Sequence, residues 1–431
     1  MVIFKEITSV RIMATHTQKQ WSVLTMNTVA FACNFAVWTM FSIIGLKIKD
    51  ELGLSDTQFG VLVVIPILTG SITRLPLGIL TDRFGGRIVY FIQMILVSIA
   101  TYSLAFANEY WQYLVAGLFV GLAGGSFAIG IAYTSAWFEK ERQGTAMGIF
   151  GAGNAGAAIT NLVAPLIVVA AGWQMVPKVY SVAMLVMAIV FWFFTYDDPA
   201  QEERKRKGTH KKLSEQLAPL KELRVWRFGL YYYFVFGGFV ALALWLPSYY
   251  VGEYGMDLKT ASFITILFTL PSGLIRALGG YMSDKAGARA VNWWVFWISA
   301  AALFILSYPQ TSFIVHGMKG DMAFDISLGV WPFTALIFVV GISMGIGKAS
   351  IYRIIHDYYP DNMGSVGGMV GVLGGLGGFT LPILFGLMSD LTNIRTSCFM
   401  LLFGLVSVCM VWMNYSILQL KKDSELFGET S

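Results

Sequence analysis

Apolar runs of about twenty residues, the length a helix needs to cross a bilayer, recur in this chain from Trp21 to about Leu418. Twelve can be drawn, at roughly 22–46, 58–81, 88–107, 111–137, 144–170, 178–196, 228–250, 260–282, 291–308, 330–352, 364–388 and 396–418. Hydrocarbon offers no water to unpaired backbone groups, so each run is expected as a helix. Composition agrees: 56% of the 431 residues are hydrophobic and 13% are charged, where a soluble domain carries about 25% charged residues. The expected fold class is all-α integral membrane, with twelve transmembrane helices.

The opening MVIFKEITSVRIMATHTQKQ has neither an apolar core nor a small-residue cleavage site, and so does not read as a signal peptide. Cys33, Cys398 and Cys409 all fall within apolar runs, where they read as small packing residues and not as a disulfide or a metal site. There is no metal-ligand spacing, nucleophile–base set or cofactor motif, so neither an enzyme nor a metal or cofactor is expected.

Most of the 30 Lys and Arg fall in the two tails and in the alternate loops that share their side. By the positive-inside rule both termini are then cytoplasmic. The longest loop on that side, YDDPAQEERKRKGTHKKLSEQLAPLKELRVWRFG, divides the runs six and six. This gives a first six-helix bundle over 1–198, a linker over 199–227 and a second bundle over 228–431. The basic stretch of the linker reads as an orientation signal and a lipid-headgroup contact, not as a nucleic-acid site.

The two bundles are repeats. A shift of 202 positions superimposes Arg74 on Arg276, Gly78 on Gly280, Asp82 on Asp284, Arg83 on Lys285, Gly85 on Gly287 and Arg87 on Arg289. The arginine pair lies inside apolar runs, VLVVIPILTGSITRLPLGIL and FITILFTLPSGLIRALGGYM. A guanidinium cannot shed its proton, and at mid-membrane it costs about 2.5–3.5 kcal/mol. No Asp or Glu falls in the middle of any run. Two cations without a counter-anion point to an anionic substrate between the bundles; the alternative is that Arg74, near the inner end, snorkels to the interface. Asp82, close to a helix end, can pair with Arg83, Arg87 or a base on the other bundle and latch one conformation, while Gly78 permits close helix approach. A solvated turn is the alternative, and for Asp284 the two readings weigh equally.

Two runs are rich in glycine. The fifth, MGIFGAGNAGAAITNLVAP, holds Gly148, Gly151, Gly153, Asn154 and Gly156; the eleventh, GGMVGVLGGLGGFTLPILFG, holds Gly371, Gly374, Gly375 and Gly377 among others. Glycine costs about 1 kcal/mol relative to Ala in a helix, so this density calls for close, sliding helix contacts and leaves room for a small ligand.

The loops GILTDRFGGR and GGYMSDKAGAR resemble the G-x-L-x-D-R-x-G-R pattern of the major facilitator superfamily, the second copy departing from it at Met282 and Ala286. The two glycine-rich strings are similar to the signature of the nitrate/nitrite porter family within that superfamily. The resemblance covers the whole chain and implies an alternating-access carrier in a bacterial inner membrane, with a monomer as the expected unit. It implies that Arg74 and Arg276 clamp a planar oxyanion and that Asn154 supplies a further donor. It also places Phe127, in GGSFAIGIAYTSAWF, and Tyr232 with Phe236 against the anion, although YYYFVF sets three tyrosines side by side. Lys348, in GISMGIGKASIYRIIHDYYP, resembles the G-K-A element of proton-coupled importers, and His16, His210, His316 and His356 all lie in tails, loops or helix ends. Its alternative role is to snorkel to the inner face.

Nitrate suits such a site, being flat and singly charged, with three oxygens for guanidinium forks. An inside-negative potential opposes its entry by about 2.3 kcal/mol per charge per 100 mV. Import therefore requires more than one proton per anion, or exchange for internal nitrite. Nitrate/proton symport is the expected function, with nitrate/nitrite exchange, organic-phosphate exchange and a non-transporting anion sensor as alternatives.

Overall fold

The computed structural model describes residues 16–54, 56–198, 213–256, 258–318 and 320–426. The start of the N-terminal tail, the basic stretch 199–212 of the linker and the last five residues lie outside these, and with them part of the charge that orients the chain.

Ten of the described helices are long and apolar enough to cross a membrane, and an eleventh span is the bent pair Phe263–Leu274 and Arg276–Ala286. Its counterpart in the first half, Asp56–Ile72 followed by Arg74–Phe84, completes the twelve-span, all-α architecture. Both of these spans, the second and the eighth, break one residue before the buried arginine. In the eighth the bend is 40°, and Pro271, which has no N–H to give the preceding turn, lies inside the first segment.

The halves pack alike. The third span lies on the sixth as the ninth lies on the twelfth, and the second lies on the fourth as the eighth lies on the tenth. Between the halves the fifth span meets the eighth and the second meets the eleventh. Within the first half, buried polar side chains find one another: Gln93 Nε2 donates to Asn34 Oδ1 at 2.8 Å and Asn27 Nδ2 to Thr134 Oγ1 at 3.0 Å. Such pairing is what makes polar groups tolerable at this depth.

Two segments differ from the expected loops. The later part of the linker is helical, with Leu213–Leu217 and a 3-10 turn Ala218–Lys221 leading into the seventh span at Leu223. Between the ninth and tenth spans stands an antiparallel hairpin, β1 Thr311–Gly317 and β2 Gly320–Ile326, pairing Phe313 with Phe324 and Val315 with Met322. The end of the bundle bearing the linker is called the linker side below, and the opposite end the hairpin side.

Candidate functional site

Four irregularities in the spans converge at the middle of the protein. Arg74 and Arg276 each open the second segment of a broken span. The fifth span turns 3-10 over Ala152–Ala155, which sets Asn154 in a tightened turn. The seventh contains a π turn over Tyr233–Gly237, and such turns inside α-helices gather at functional sites. Tyr232 and Phe236 stack across it with centroids 5.2 Å apart and planes 2° from parallel.

Both arginines are fully buried, so neither snorkels. Arg74 Nε donates to Gly124 O at 3.2 Å and Nη1 to Gly371 O at 2.8 Å, tying one guanidinium to both halves of the protein. Arg276 differs: among the described residues its Nε, Nη1 and Nη2 make no well-formed hydrogen bond, with the Tyr232 hydroxyl as a polar neighbour. The side-chain oxygen and nitrogen of buried Asn154 and the hydroxyl of Tyr232 likewise make none. A buried group left unpaired costs about 1–3 kcal/mol, and a charged one more, so this cluster of vacant donors describes a place for something that accepts hydrogen bonds.

Aromatic rings surround the two cations. The Arg74 guanidinium lies 4.8 Å from the Phe236 centroid and 5.5 Å from that of Phe127, and the Arg276 guanidinium lies 4.8 Å from Phe127. Phe127 stands near-parallel to Tyr232 and Phe236 at 6.1 and 6.5 Å. The sequence reading passes over Tyr352. It meets Phe127 and Tyr232 edge-on at 5.1 and 5.0 Å and donates its hydroxyl to Gly367 O at 2.8 Å. The signal available for it was its place one turn after Lys348 on the same helix.

Lys348 is fully buried rather than drawn to the inner face. Its Nζ donates to Ser272 Oγ at 3.3 Å and lies 3.5 Å from the Phe239 centroid. Ser272 precedes Arg276 by four residues on the eighth span, so a third basic side chain borders the same region. Among the described residues no carboxylate forms an ion pair with Arg74, Arg276 or Lys348.

The glycines separate into three groups. Gly151 makes room for Arg276, since a Cβ there would stand 2.1 Å from its Nε; one on Gly371 would stand 3.0 Å from Arg74 Cδ, and one on Gly374 would meet the Tyr232 ring. Gly78 faces Gly364 O, Gly280 faces Gly144 O and Gly375 faces Ser71, all across the interface between halves. Gly153 and Gly156 instead press on the first span of their own half, and Gly377 on Gly237 of the seventh span. These three are close-approach points within one bundle.

At the linker side the matched acids grip opposite halves. Asp82 accepts the backbone N–H groups of Gly364 and Ser365 at 3.0 and 2.9 Å. Asp284 accepts those of Gly144 and Thr145 at 2.8 and 2.7 Å, together with the Thr145 hydroxyl at 2.7 Å and Arg353 Nε at 2.9 Å. For Asp82 the amides it holds lie at the start of the eleventh span. Negative charge is favoured at such helix starts. Arg87 meanwhile donates to Trp192 O at 2.8 Å and lies over its ring at 4.1 Å, and Arg83 lies over Phe84 at 5.2 Å.

Comparison with known proteins places this geometry. The profile described as Major Facilitator Superfamily matches residues 28–322 and 253–426. The chain is 40% identical to a probable nitrate/nitrite antiporter, NarK1, of Thermus thermophilus, across 94% of this chain and 96% of that protein. It is 29% identical to a nitrite extrusion protein of Bacillus subtilis (strain 168), across 92% and 95%. The crystal structure of the human organic anion transporter MFSD10 (TETRAN) superposes with a TM-score of 0.72 at 14% identity, across 91% of this chain and 99% of that one. The chain belongs to the Major Facilitator Superfamily, within the nitrate/nitrite porter family, and is a transporter, not an enzyme.

Proposed function

We propose that this superfamily member carries nitrate, and nitrite beside it, across a bacterial plasma membrane by alternating access, with the linker side cytoplasmic and proton symport as the drive. The observation that carries the reading is the buried guanidinium of Arg276, which among the described residues makes no well-formed hydrogen bond, set beside Asn154 and Tyr232 in a region with two permanent cations, the basic Lys348 and no paired carboxylate. A small planar oxyanion answers the donors among these vacancies. Arg276 offers it a fork, Asn154 an amide N–H, and Arg74 a charge already oriented by Gly124 and Gly371. The flat faces of Phe127, Tyr232 and Phe236 set its plane. The names of the relatives from Thermus and Bacillus support nitrate and nitrite as the anions.

The bonds from Asp82 and Asp284 close the linker side, and their release opens it once the anion has neutralised the central charge. Lys348 is the coupling residue in this reading, because it is the readily titratable side chain buried beside Arg276. One proton per nitrate makes the cycle electroneutral. Such a cycle is driven by the pH difference alone, and a second proton would let the inside-negative potential add to the drive. Nitrate/nitrite exchange is the second reading, favoured by the word antiporter in the name of the Thermus relative.

Uptake of labelled nitrate into proteoliposomes, with a pH gradient or with internal nitrite, separates the two. Symport predicts that the gradient alone drives accumulation and that Lys348→Gln abolishes it while nitrate/nitrite exchange persists. Gradient-driven accumulation at the wild-type level in Lys348→Gln removes Lys348 from the coupling role. If only internal nitrite supports wild-type uptake, the protein is an exchanger.

A further inference from the structure

Away from the centre, on the lipid-facing flank of the second half, the helices Arg276–Ala286, Ala288–Leu306 and Val330–Tyr358 enclose a groove of about 470 Å³. Its walls are almost wholly apolar, with Met282, Trp294, Ile298, Phe338 and Ile346 among them. Ala286 and Ala290 line its linker-side end, and the same two residues line a second cavity of about 480 Å³ with Arg289, Asp357 and Tyr358. An oily flank therefore adjoins a polar mouth at Ala286 and Ala290.

The mouth is strongly cationic. The guanidinium groups of Arg224 and Arg289 both lie over the Tyr358 ring, at 4.3 and 5.4 Å from its centroid. Arg227 is close enough to feel the charge of both. Among the described residues no carboxylate lies within ion-pair distance of any of the three. The two acids nearby are engaged: Asp357 accepts from Arg353 Nη1 at 2.5 Å, with Lys140 at 3.8 Å, and Glu222 accepts the Tyr359 hydroxyl at 2.5 Å. Like charges gathered around one ring at a membrane-facing edge call for an anion from outside the chain.

The geometry points to a binding site for an anionic glycerophospholipid, its phosphate at Arg224, Arg227 and Arg289 and one acyl chain along the groove from Ala286 to Phe338. Charge complementarity at the mouth and the apolar walls behind it select this ligand over a soluble phosphate, which would leave the groove empty, and over a zwitterionic lipid, which would leave the arginines unneutralised. The site borders the helix carrying Arg276 and Asp284 and the helix carrying Lys348 and Arg353, so an occupying lipid braces two of the elements that meet at the linker side.

Native mass spectrometry of the delipidated full chain, with phosphatidylglycerol or phosphatidylcholine of identical acyl chains added back, tests this. The wild-type protein is expected to retain phosphatidylglycerol preferentially. The pair Arg224→Gln and Arg289→Gln should weaken that retention about thirtyfold, at about 1 kcal/mol for each basic residue near the headgroup. Ala290→Trp, which fills the groove but keeps the arginines, should weaken it as well, and glycerol phosphate in solution should not compete. Equal retention of both lipids by the wild-type protein overturns the proposal. So does undiminished retention in the arginine pair, or competition by glycerol phosphate joined to an unaffected Ala290→Trp, which would reduce the site to a bare anion contact.

Discussion

Arg74 and Arg276 occupy matching places in the two halves, and their surroundings differ in one respect. Arg74 spends two donors on the carbonyls of Gly124 and Gly371, one in each half, whereas Arg276 is equally buried and, among the described residues, gives no donor to a backbone carbonyl. Repeat symmetry thus supplies two cations and packing assigns them unequal tasks. Arg74 is held in orientation by the fold, while Arg276 keeps its full hydrogen-bonding capacity for the ligand. A site prepared on one side and open on the other loses less entropy on binding than two free side chains would.

Replacing each arginine with Lys tests that division most severely. Lys keeps the charge but loses the fork, and hydrogen bonds to charged groups are worth about 1.5–3 kcal/mol each. Nitrate affinity measured by calorimetry is expected to fall at least about a hundredfold in both variants. Only Arg74→Lys should also lower the melting temperature of the nitrate-free protein, because only Arg74 is bonded before the anion arrives. Equal loss of stability in the two variants would break the comparison, and near-wild-type affinity in both would dismiss the clamp.

A smaller contrast lies in the glycines beneath each side chain. A Cβ at Gly151 would overlap Arg276 Nε at 2.1 Å, whereas one at Gly371 would stand 3.0 Å from Arg74 Cδ. With overpacking at about 1–3 kcal/mol, Gly151→Ala should reduce nitrate affinity about tenfold or more and Gly371→Ala only a few-fold. Saturation transport kinetics would show the order, and its inversion would mean that Arg276 has room to yield.

The smallest expected effect concerns the linker-side acids, where Asp284 adds Arg353 to its backbone amides. Arg353→Gln and Asp284→Asn should each raise linker-side opening several-fold and combine non-additively, since they share one bond, while Arg353→Gln and Asp82→Asn should add. Labelling of a cysteine introduced between the fifth and eighth spans, in a background free of Cys33, Cys398 and Cys409, reports the opening. Full additivity between Arg353→Gln and Asp284→Asn would separate Arg353 from the latch.

What the sequence disclosed follows from which interactions are local. The spans are legible because bilayer thickness imposes a length on every apolar run, and the arginine pair because a permanent charge stands out within one. Asn154, Tyr232 and Phe236 emerge through resemblance, yet the turns that aim them do not. A π turn or a 3-10 turn is a shift of one hydrogen bond within a helix, and the apolar residues around it are compatible with either. The inequality of Arg74 and Arg276 is likewise invisible, since Gly371 lies 297 positions from the arginine it binds. Glycine spacing advertised close approach without saying to what, so Gly153, Gly156 and Gly377 looked the same as Gly151. The hairpin was hidden because its pairing satisfies the backbone outside the bilayer, where apolar length carries no signal.

The carbonyl contacts at Gly78, Gly364, Gly144 and Gly280 have a consequence at the level of inheritance. A Cβ at any of the four would come within about 2.6 Å of a backbone carbonyl across the seam. Every single-base change that exchanges a glycine codon for another amino acid installs Ala, Ser, Cys, Val, Asp, Glu, Arg or Trp, and each brings that Cβ. Any one-step variant at these codons therefore forces the seam to shift from the closure seen here, so a single mutation is expected to suffice to hold the linker side ajar.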